Sequence, residues 1–502
     1  MGDSLSTLLL LFSIVILAFG ALLGAKRTLY STVLRFITLV LSAIAAYVLA
    51  KNALYGASGT LIDTLKEMSG GALDTYLNDP ELTGLASSLA VMLVAPIFFL
   101  LFYIVIKLLS WIVYKIFASA LHLKGPGRLG HLLGAVGGVV CGFLTLVVLV
   151  TPIFGYADLV LKISDTTTDD SLTELVDPIQ AIRKTPIASQ AYAMLGETLF
   201  NGLTTTDWED TEINLNNEAD ILISVVNDAM PLLQKPMAEY GPEESAAIQK
   251  MAQDVGRSPV LCTVISSVLA DTSKAWLNGE EALGVSKPEA GEELQGIVDS
   301  LLVVFATSDR TNIGADLTTF ADIMSIMIDN ELFALAQSEG GADALAEKLS
   351  SGGVAAELYQ TLGENPRMQG VQTTVTNTGV RMLLNRLGDV DQLRENHGEM
   401  LESIAIELKE YRNEDGTLNK DELTGKLNQV INDYDIEVGE DLTSLVVDGV
   451  AEAFTPEELD TMTTDEMVDR LIEYFTNTDK PIEIPEELLD KIPENFGSEN
   501  AA

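Results

Sequence analysis

The sequence predicts an all-α protein in two parts. A four-helix transmembrane N-terminal bundle comes first. A mostly helical, acidic extracytoplasmic domain follows, with a duplicated helical unit of ~105 residues inside it. Three observations carry this expectation. The 502 residues hold 73 acidic and 30 basic side chains, a net charge of −43, yet 47% of them are hydrophobic and the mean hydropathy is +0.25. The charge is unevenly placed: residues 1–155 hold nine Lys/Arg against six Asp/Glu, or +3, which leaves −46 for the remainder. The apolar residues of the first part form four runs of about 20 residues, the length that crosses a bilayer core, whereas the second part spaces them by three and four, as amphipathic helices do. This distribution excludes a simple soluble enzyme. It also excludes a nucleic-acid binder held by phosphate contacts, which needs a basic face. With two cysteines in the chain, a disulfide scaffold is excluded as well.

The four spans are placed at about 5–25, 30–50, 82–106 and 132–157, and residues 1–157 form the membrane domain. The first follows Met1-Gly2-Asp3-Ser4 and precedes Lys26-Arg27. That charge order is the reverse of a signal peptide and predicts an uncleaved helix with its N-terminus outside. The second carries Arg35 near its start, where a long side chain snorkels to the interface. The third contains Pro96 and the fourth Pro152, both tolerated in membrane helices. Residues 108–117, with Trp111, Tyr114 and Lys115, continue the third span and read as a helix lying at the cytoplasmic surface. Lys26 and Arg27 follow the first span, and Lys115, Lys124 and Arg128 follow the third. Both basic loops lie on one side, which is then cytoplasmic, so both termini and the acidic domain lie outside. No span has an acidic residue at its centre, which argues against a proton or ion pathway.

Glycines recur at four-residue spacing in the first and last spans: Gly20 and Gly24, then Gly130, Gly134, Gly138 and Gly142. Small residues on one helix face let another backbone approach closely in lipid. The partner is either a helix of the same bundle or a second copy, a homo-oligomer through the glycine face of span four. These residues resemble the colicin V production (CvpA-like) membrane family over about residues 1–157. The matching features are Gly20, Gly24, Lys26 and Arg27 closing the first span, and 133–138 followed by Gly142 opening the last. The family pattern often has a basic residue before that last glycine, where this chain has Cys141. The resemblance implies an inner-membrane protein associated with toxin production or export and with envelope homeostasis. Some relatives look like membrane anchors fused to a serine protease. Here the acidic domain has one histidine, His397, placed in a charged loop or helix end, and no Gly-x-Ser-x-Gly. A His-Asp-Ser triad is therefore not expected.

The acidic domain is divided into a linker with first helices (158–215), helical units 216–320 and 321–430, C-terminal helices 431–480 and a Pro/acid-rich tail 481–502. Residues 251–277 and 358–384 align without gaps, pairing Gly256 with Gly363 and Pro259 with Pro366. Such a duplication serves as a binding surface or spacer. Residues 411–422 carry Asn413, Asp415, Gly416 and Glu422 at EF-hand positions, but Tyr411 stands where the first carboxylate belongs. A hydrated turn is expected there rather than a metal site. The acidic run 207–212 reads as a solvated face. Cys141 falls in lipid and Cys262 in the outer domain, so no disulfide joins them.

The expected function is that of a membrane protein with a secretion, toxin-production or envelope-homeostasis role, not an enzyme and without a cofactor. The acidic outer domain is an interaction module. Its neighbours are the lipid bilayer and an envelope protein partner of unknown identity, with no nucleic acid. The alternative is a subunit of a transport or channel assembly.

Overall fold

A computed structural model describes residues 2–26, 29–56, 58–68, 79–120, 128–164, 170–282, 284–287, 292–336, 348, 354–375, 393–413, 416–433 and 440–476. The chain divides into two compact units, Met1–Asn227 with Ser258–Val260, and Asp228–Arg257 with Leu261–Ala502.

The first unit contains the expected spans as α1 (Gly2–Ala25), α2 (Leu29–Gly56), α4 (Pro80–Ala120) and α5 (Arg128–Ser164), with a short α3 (Ser58–Met68) between the second and third. α4 begins where Asp79 caps it: its carboxylate accepts the Glu81 N–H at 2.7 Å, and Pro80 takes the first helical position, where a missing N–H costs nothing. It then runs 41 residues without a break. At 1.5 Å per residue that is about 60 Å, twice a bilayer core. The helix expected over 108–117 is thus continuous with the third span, with no break between them. Both interior prolines, Pro96 and Pro152, are accommodated within unbroken helices.

The unit does not end with the spans. Helices α6 (Asp170–Arg183) and α7 (Pro186–Ala191), a π-turn over Tyr192–Gly196 and α8 (Glu197–Leu203) follow. They fold back onto the bundle. Leu203 is buried with Ala46, Ala50 and Leu54 of α2 and Val91 of α4. Phe200 and Tyr192 are buried with Leu146, Val150 and Phe154 of α5, and the Tyr47 hydroxyl donates to the Gly202 carbonyl at 3.0 Å. A side chain at Gly155 would overlap the Phe200 ring, so the glycine makes this docking sterically feasible. The compact unit thus extends past 157, through the segment expected to hold a linker and the first helices.

Strands β1 (Thr205–Trp208) and β2 (Thr211–Asn214) form an antiparallel hairpin. Its two-residue turn, Glu209 and Asp210, has φ of 46° and 64°, the left-handed pair that matches strand twist. The acidic run 207–212 is thus a hairpin rather than a plain solvated face. Trp208 is buried with Leu85 and Met92 of α4. Helix α9 (Leu215–Leu233) comes next.

The second unit comprises α10 (Pro242–Arg257), α11 (Pro259–Leu277), α12 (Glu292–Ala306), α13 (Ile313–Asp329), α14 (Leu332–Ala336), α15 (Val354–Glu364), α16 (Leu393–Glu410), α17 (Lys420–Asp433), α18 (Glu440–Ala453), α19 (Pro456–Thr461) and α20 (Thr464–Thr476). α10 packs along α13, with Gly256 against Gly314: a Cβ built on Gly314 would lie 2.9 Å from the Gly256 Cα. α16 to α20 share one core, including Met400, Leu408, Leu423, Leu427, Val447, Val450 and Leu471. The expected boundaries at 320/321 and 430/431 fall inside α13 and α17, and are corrected. The tail 481–502 lies outside the described residues.

The two aligned segments share a local device. In each, one residue separates the end of a helix from a proline that opens the next helical segment, α11 at Pro259 and a 3-10 turn at Pro366–Met368. At that stop Ser258 donates to the buried Glu218, the fourth residue of α9. Asn365 donates to the buried Asp316, the fourth residue of α13, at 3.1 Å. The packing is not shared: Gly256 lies against the Gly314 backbone, whereas Gly363 faces the Gln372 side chain.

The C-terminal helices are closed by two successive capping boxes. The Thr455 hydroxyl accepts the Glu458 N–H at 3.3 Å and Glu458 accepts the Thr455 N–H at 2.8 Å. Thr463 and Glu466 repeat this at 3.3 and 2.7 Å. The backbone N–H groups of Thr455 and Thr463, and then their hydroxyls, hold the Glu458 and Glu466 carboxyls below their usual value of 4.5. A depressed carboxyl pKa contributes stability above the unfolded value and loses it as pH falls through the folded one. Amide protection across 456–476, taken relative to the intrinsic exchange rate at each pH, is therefore expected to fall below about pH 4.5. In a Thr455→Ala/Thr463→Ala variant exchange should already be about fivefold faster at neutral pH, since each cap contributes ~1 kcal/mol.

Candidate functional site

The clearest designed contact in the first unit is the glycine seam between α1 and α5. Gly20 and Gly24 lie on one face of α1, and Gly134, Gly138 and Gly142 on one face of α5. A Cβ on Gly20 would stand 2.5 Å from the Gly138 carbonyl oxygen, and one on Gly142 3.1 Å from the Ile16 carbonyl oxygen. A Cβ on Gly24 would overlap the Gly134 carbonyl, and one on Gly138 the Gly20 carbonyl. The backbones are in direct contact, a distance only glycine permits. The seam is closed at one end by His131, whose Nδ1 donates to the Ala25 carbonyl at 2.5 Å. Of the two readings of this glycine face, the structure realises packing within one chain. From Gly134 to Gly142 it is covered by α1, so an oligomer seam through it is corrected. Gly130 lies one turn before Gly134 in α5.

The topology-setting residues are placed as follows. Lys26 is exposed just past the end of α1. Lys115 lies in the last third of α4, and Arg128 opens α5. Arg27 and Lys124 lie outside the described residues.

At the other end of α5, Asp158 pairs with Arg183 at 2.7 Å and Lys162 with Asp220 at 2.6 Å. These pairs fasten α6 and α9 to the span. Burial, and then the Asp158 and Glu197 carboxylates, push the nearby Tyr192 phenol well above its usual range. Sequence reasoning did not find this docking of 186–203. Its signals were small residues at contact points, Ala188, Ala191, Gly196 and Gly202, which composition alone does not distinguish from a linker.

Among the described residues, no group of three or more His, Cys, Asp or Glu could hold a metal. The 411–422 turn closes on itself through its backbone: the Asn413 N–H donates to Thr417 at 2.8 Å and the Asn419 N–H to Tyr411 at 3.0 Å, with Gly416 at φ 87°. Asp415 is outside the described residues. His397 sits at a kink within α16 rather than in a loop. Cys141 and Cys262 are both free and buried.

Among the described residues, five helices are long and apolar enough to cross a membrane: Ser4–Ala25, Ser31–Leu54, Pro80–Ile112, His131–Ser164 and Pro259–Leu277. They make the chain a multi-pass membrane protein. The first four are the expected spans. The fifth, α11, is the least apolar. It carries Asp271 and Lys274 and buries Thr263, Ser266, Thr272 and Ser273. Comparison of the chain with models of known protein families, with curated proteins and with solved structures finds no match.

Proposed function

We propose that this is a four-span inner-membrane protein of the CvpA-like kind, with its acidic helical domain outside the cytoplasm. That domain acts as an interaction module in secretion, toxin production or envelope homeostasis, and not as an enzyme. The observation that carries the reading is the α1–α5 seam. The glycines on which the resemblance rests are the ones that bring the first and last spans into backbone contact. The orientation rests on the basic residues after α1 and across the α4–α5 connection, set against the net charge of −46 beyond residue 155. α11 is read as a helix of the outer domain, because four of its six buried residues, Thr263, Ser266, Thr272 and Ser273, carry hydroxyls. The acid excess favours basic partner surfaces and disfavours anionic lipid and nucleic acid.

The test is crosslinking in native membranes, read by mass spectrometry. A recurrent envelope or secretion protein joined to residues of the acidic domain is the expected result. Ion flux in liposomes containing the purified protein, with no crosslinked partner, sinks this reading in favour of a transport or channel subunit.

A further inference from the structure

Residues 186–203 lie beside the spans rather than beyond them. The chain leaves α5 at Ser164 and returns through α6, whose Arg183 pairs with Asp158. From there it runs back along the bundle. Ala188 and Ala191 are fully buried in one cluster with Leu146, Val147 and Val150 of α5. A Cβ on Gly196 would stand 3.2 Å from the Thr151 hydroxyl oxygen. Thr151 is six residues before Ala157, where the fourth apolar run ends, and along a helix that is about 9 Å. The Tyr192 ring stacks on Phe154 and the Phe200 ring meets Tyr156 edge-on, each at 5.5 Å between centroids. The Gly202 carbonyl is held by Tyr47, three residues before Ala50 at the end of the second apolar run.

That level is the edge of the hydrocarbon. Tyr47, Tyr156 and Tyr192 gather there, amphipathic rings of the kind that collect where headgroups meet acyl chains. The bundle surface at this height faces outward: Ile153, one residue before the buried Phe154, is 45% exposed. The returning segment continues that surface. Between Lys184 and Asp207 the sequence holds one charge, Glu197. The π-turn buries Tyr192 and Gly196 at its two ends and leaves the three residues between them, Ala193, Met194 and Leu195, exposed. Met194 is 68% exposed. Such π-turns are rare and recur at functional positions. The other exposed residues from 186 to 203 are Pro186, Gln190, Glu197 and Thr198. That mixture is too polar for the bilayer centre and suits the boundary between headgroups and acyl chains, where interfacial helices lie about 5–10 Å deep.

We infer that residues 186–203 form an interfacial element embedded in one leaflet beside α5, with Ala193, Met194 and Leu195 against lipid acyl chains. The leaflet is the one at the Asp158 end of α5, which is the outer leaflet under the orientation proposed above. The inference rests on the membrane-spanning reading but not on that orientation. It adds to the four spans a membrane contact that does not cross.

Depth-dependent quenching in phosphatidylcholine liposomes tests it. Full-length protein carrying Met194→Cys, Leu195→Cys, Ile153→Cys or Asn217→Cys, in a Cys141→Ser/Cys262→Ser background, is labelled with a small environment-sensitive fluorophore. All four positions are exposed, so the label displaces no packed side chain. One quencher is a nitroxide on the upper acyl chain of the lipid, and the other is iodide on both faces of the bilayer. Ile153→Cys reports the lipid-facing surface and Asn217→Cys reports water. Labels at Met194→Cys and Leu195→Cys should be quenched by the lipid nitroxide as at Ile153→Cys. Iodide should quench them about fivefold less than at Asn217→Cys, because an ion is costly at acyl depth. Iodide quenching of both as strong as at Asn217→Cys, with Ile153→Cys shielded, overturns this element alone. Iodide quenching of Ile153→Cys as strong as at Asn217→Cys overturns the membrane reading itself, and the element with it.

Discussion

Gly138→Leu is expected to break the packing of α1 on α5 and lower the thermal stability of the solubilised protein by about 3 kcal/mol, the upper part of the usual overpacking range. The magnitude follows from what the new side chain meets. At most core positions an added methyl group pushes aside another side chain, which finds a second rotamer. Here its first carbon overlaps the Gly20 carbonyl and lies 2.9 Å from the Gly24 Cα. Backbone cannot turn away, so one helix must shift as a whole. Gly24→Ala should already be destabilising, because its Cβ overlaps the Gly134 carbonyl. Gly425→Ala provides the contrast. It lies on the exposed side of α17 with nothing within 4 Å of an added Cβ, and helix propensity alone predicts a gain of up to ~1 kcal/mol. Thermal unfolding of the three variants in detergent measures all of this. Equal effects of Gly138→Leu and Gly425→Ala would show that the seam is not a tight contact.

The second large effect is expected at Arg367. Its Nε donates to both Asp316 carboxylate oxygens, at 3.2 and 3.0 Å. Its Nη2 donates to the Val304 carbonyl, Thr307 and Ser308 at 2.9, 3.1 and 3.2 Å. Asp316 is fully buried and also accepts from Ser308 at 2.7 Å and from Asn365. One guanidinium thus joins the end of α12, the start of α13 and the turn after α15. Arg367→Leu leaves a buried carboxylate held only by neutral donors, and breaking such a pair costs about 3–5 kcal/mol. Asp316→Leu/Arg367→Leu should recover much of that loss, since an apolar pair often replaces a buried ion pair at little cost. Denaturant unfolding of the single and double variants separates the cases. Additive losses in the double variant would mean that the pair is not coupled.

Much of the first unit was legible in the sequence because its signals are local. Four apolar runs gave four helices, and a four-residue glycine period gave the seam. What the period did not contain was the identity of the opposing helix. Gly20 and Gly24 match Gly134, Gly138 and Gly142 in spacing, yet only the antiparallel register of α1 and α5 brings them together. Other features were hidden by treating charge as punctuation. A hydropathy window ends the third span before Lys107 because it stops at a cation, while the helix continues through it to Ala120. The acids of 207–212 suggest a solvated face, although Trp208 within the run fills a core position. In the second unit the boundaries at 320/321 and 430/431 followed an alignment offset. Helix ends are set instead by caps and prolines, such as Asn365-Pro366 and Thr455-Pro456. The two aligned segments share one feature, a buried acid held by the residue before a proline, and differ in the packing around Gly256 and Gly363.

The topology is tested most directly by single cysteines at Lys26, Asn217 and Glu410, in a background carrying Cys141→Ser and Cys262→Ser, with intact cells exposed to a membrane-impermeant maleimide. Asn217 and Glu410 are exposed in the structure and lie before and after α11. Labelling of Asn217→Cys and Glu410→Cys from outside, with Lys26→Cys reached only after permeabilisation, is the expected result. Labelling of Lys26→Cys from outside would invert the orientation. Asn217→Cys and Glu410→Cys on opposite faces would make α11 a fifth span and contradict an acidic domain held wholly outside.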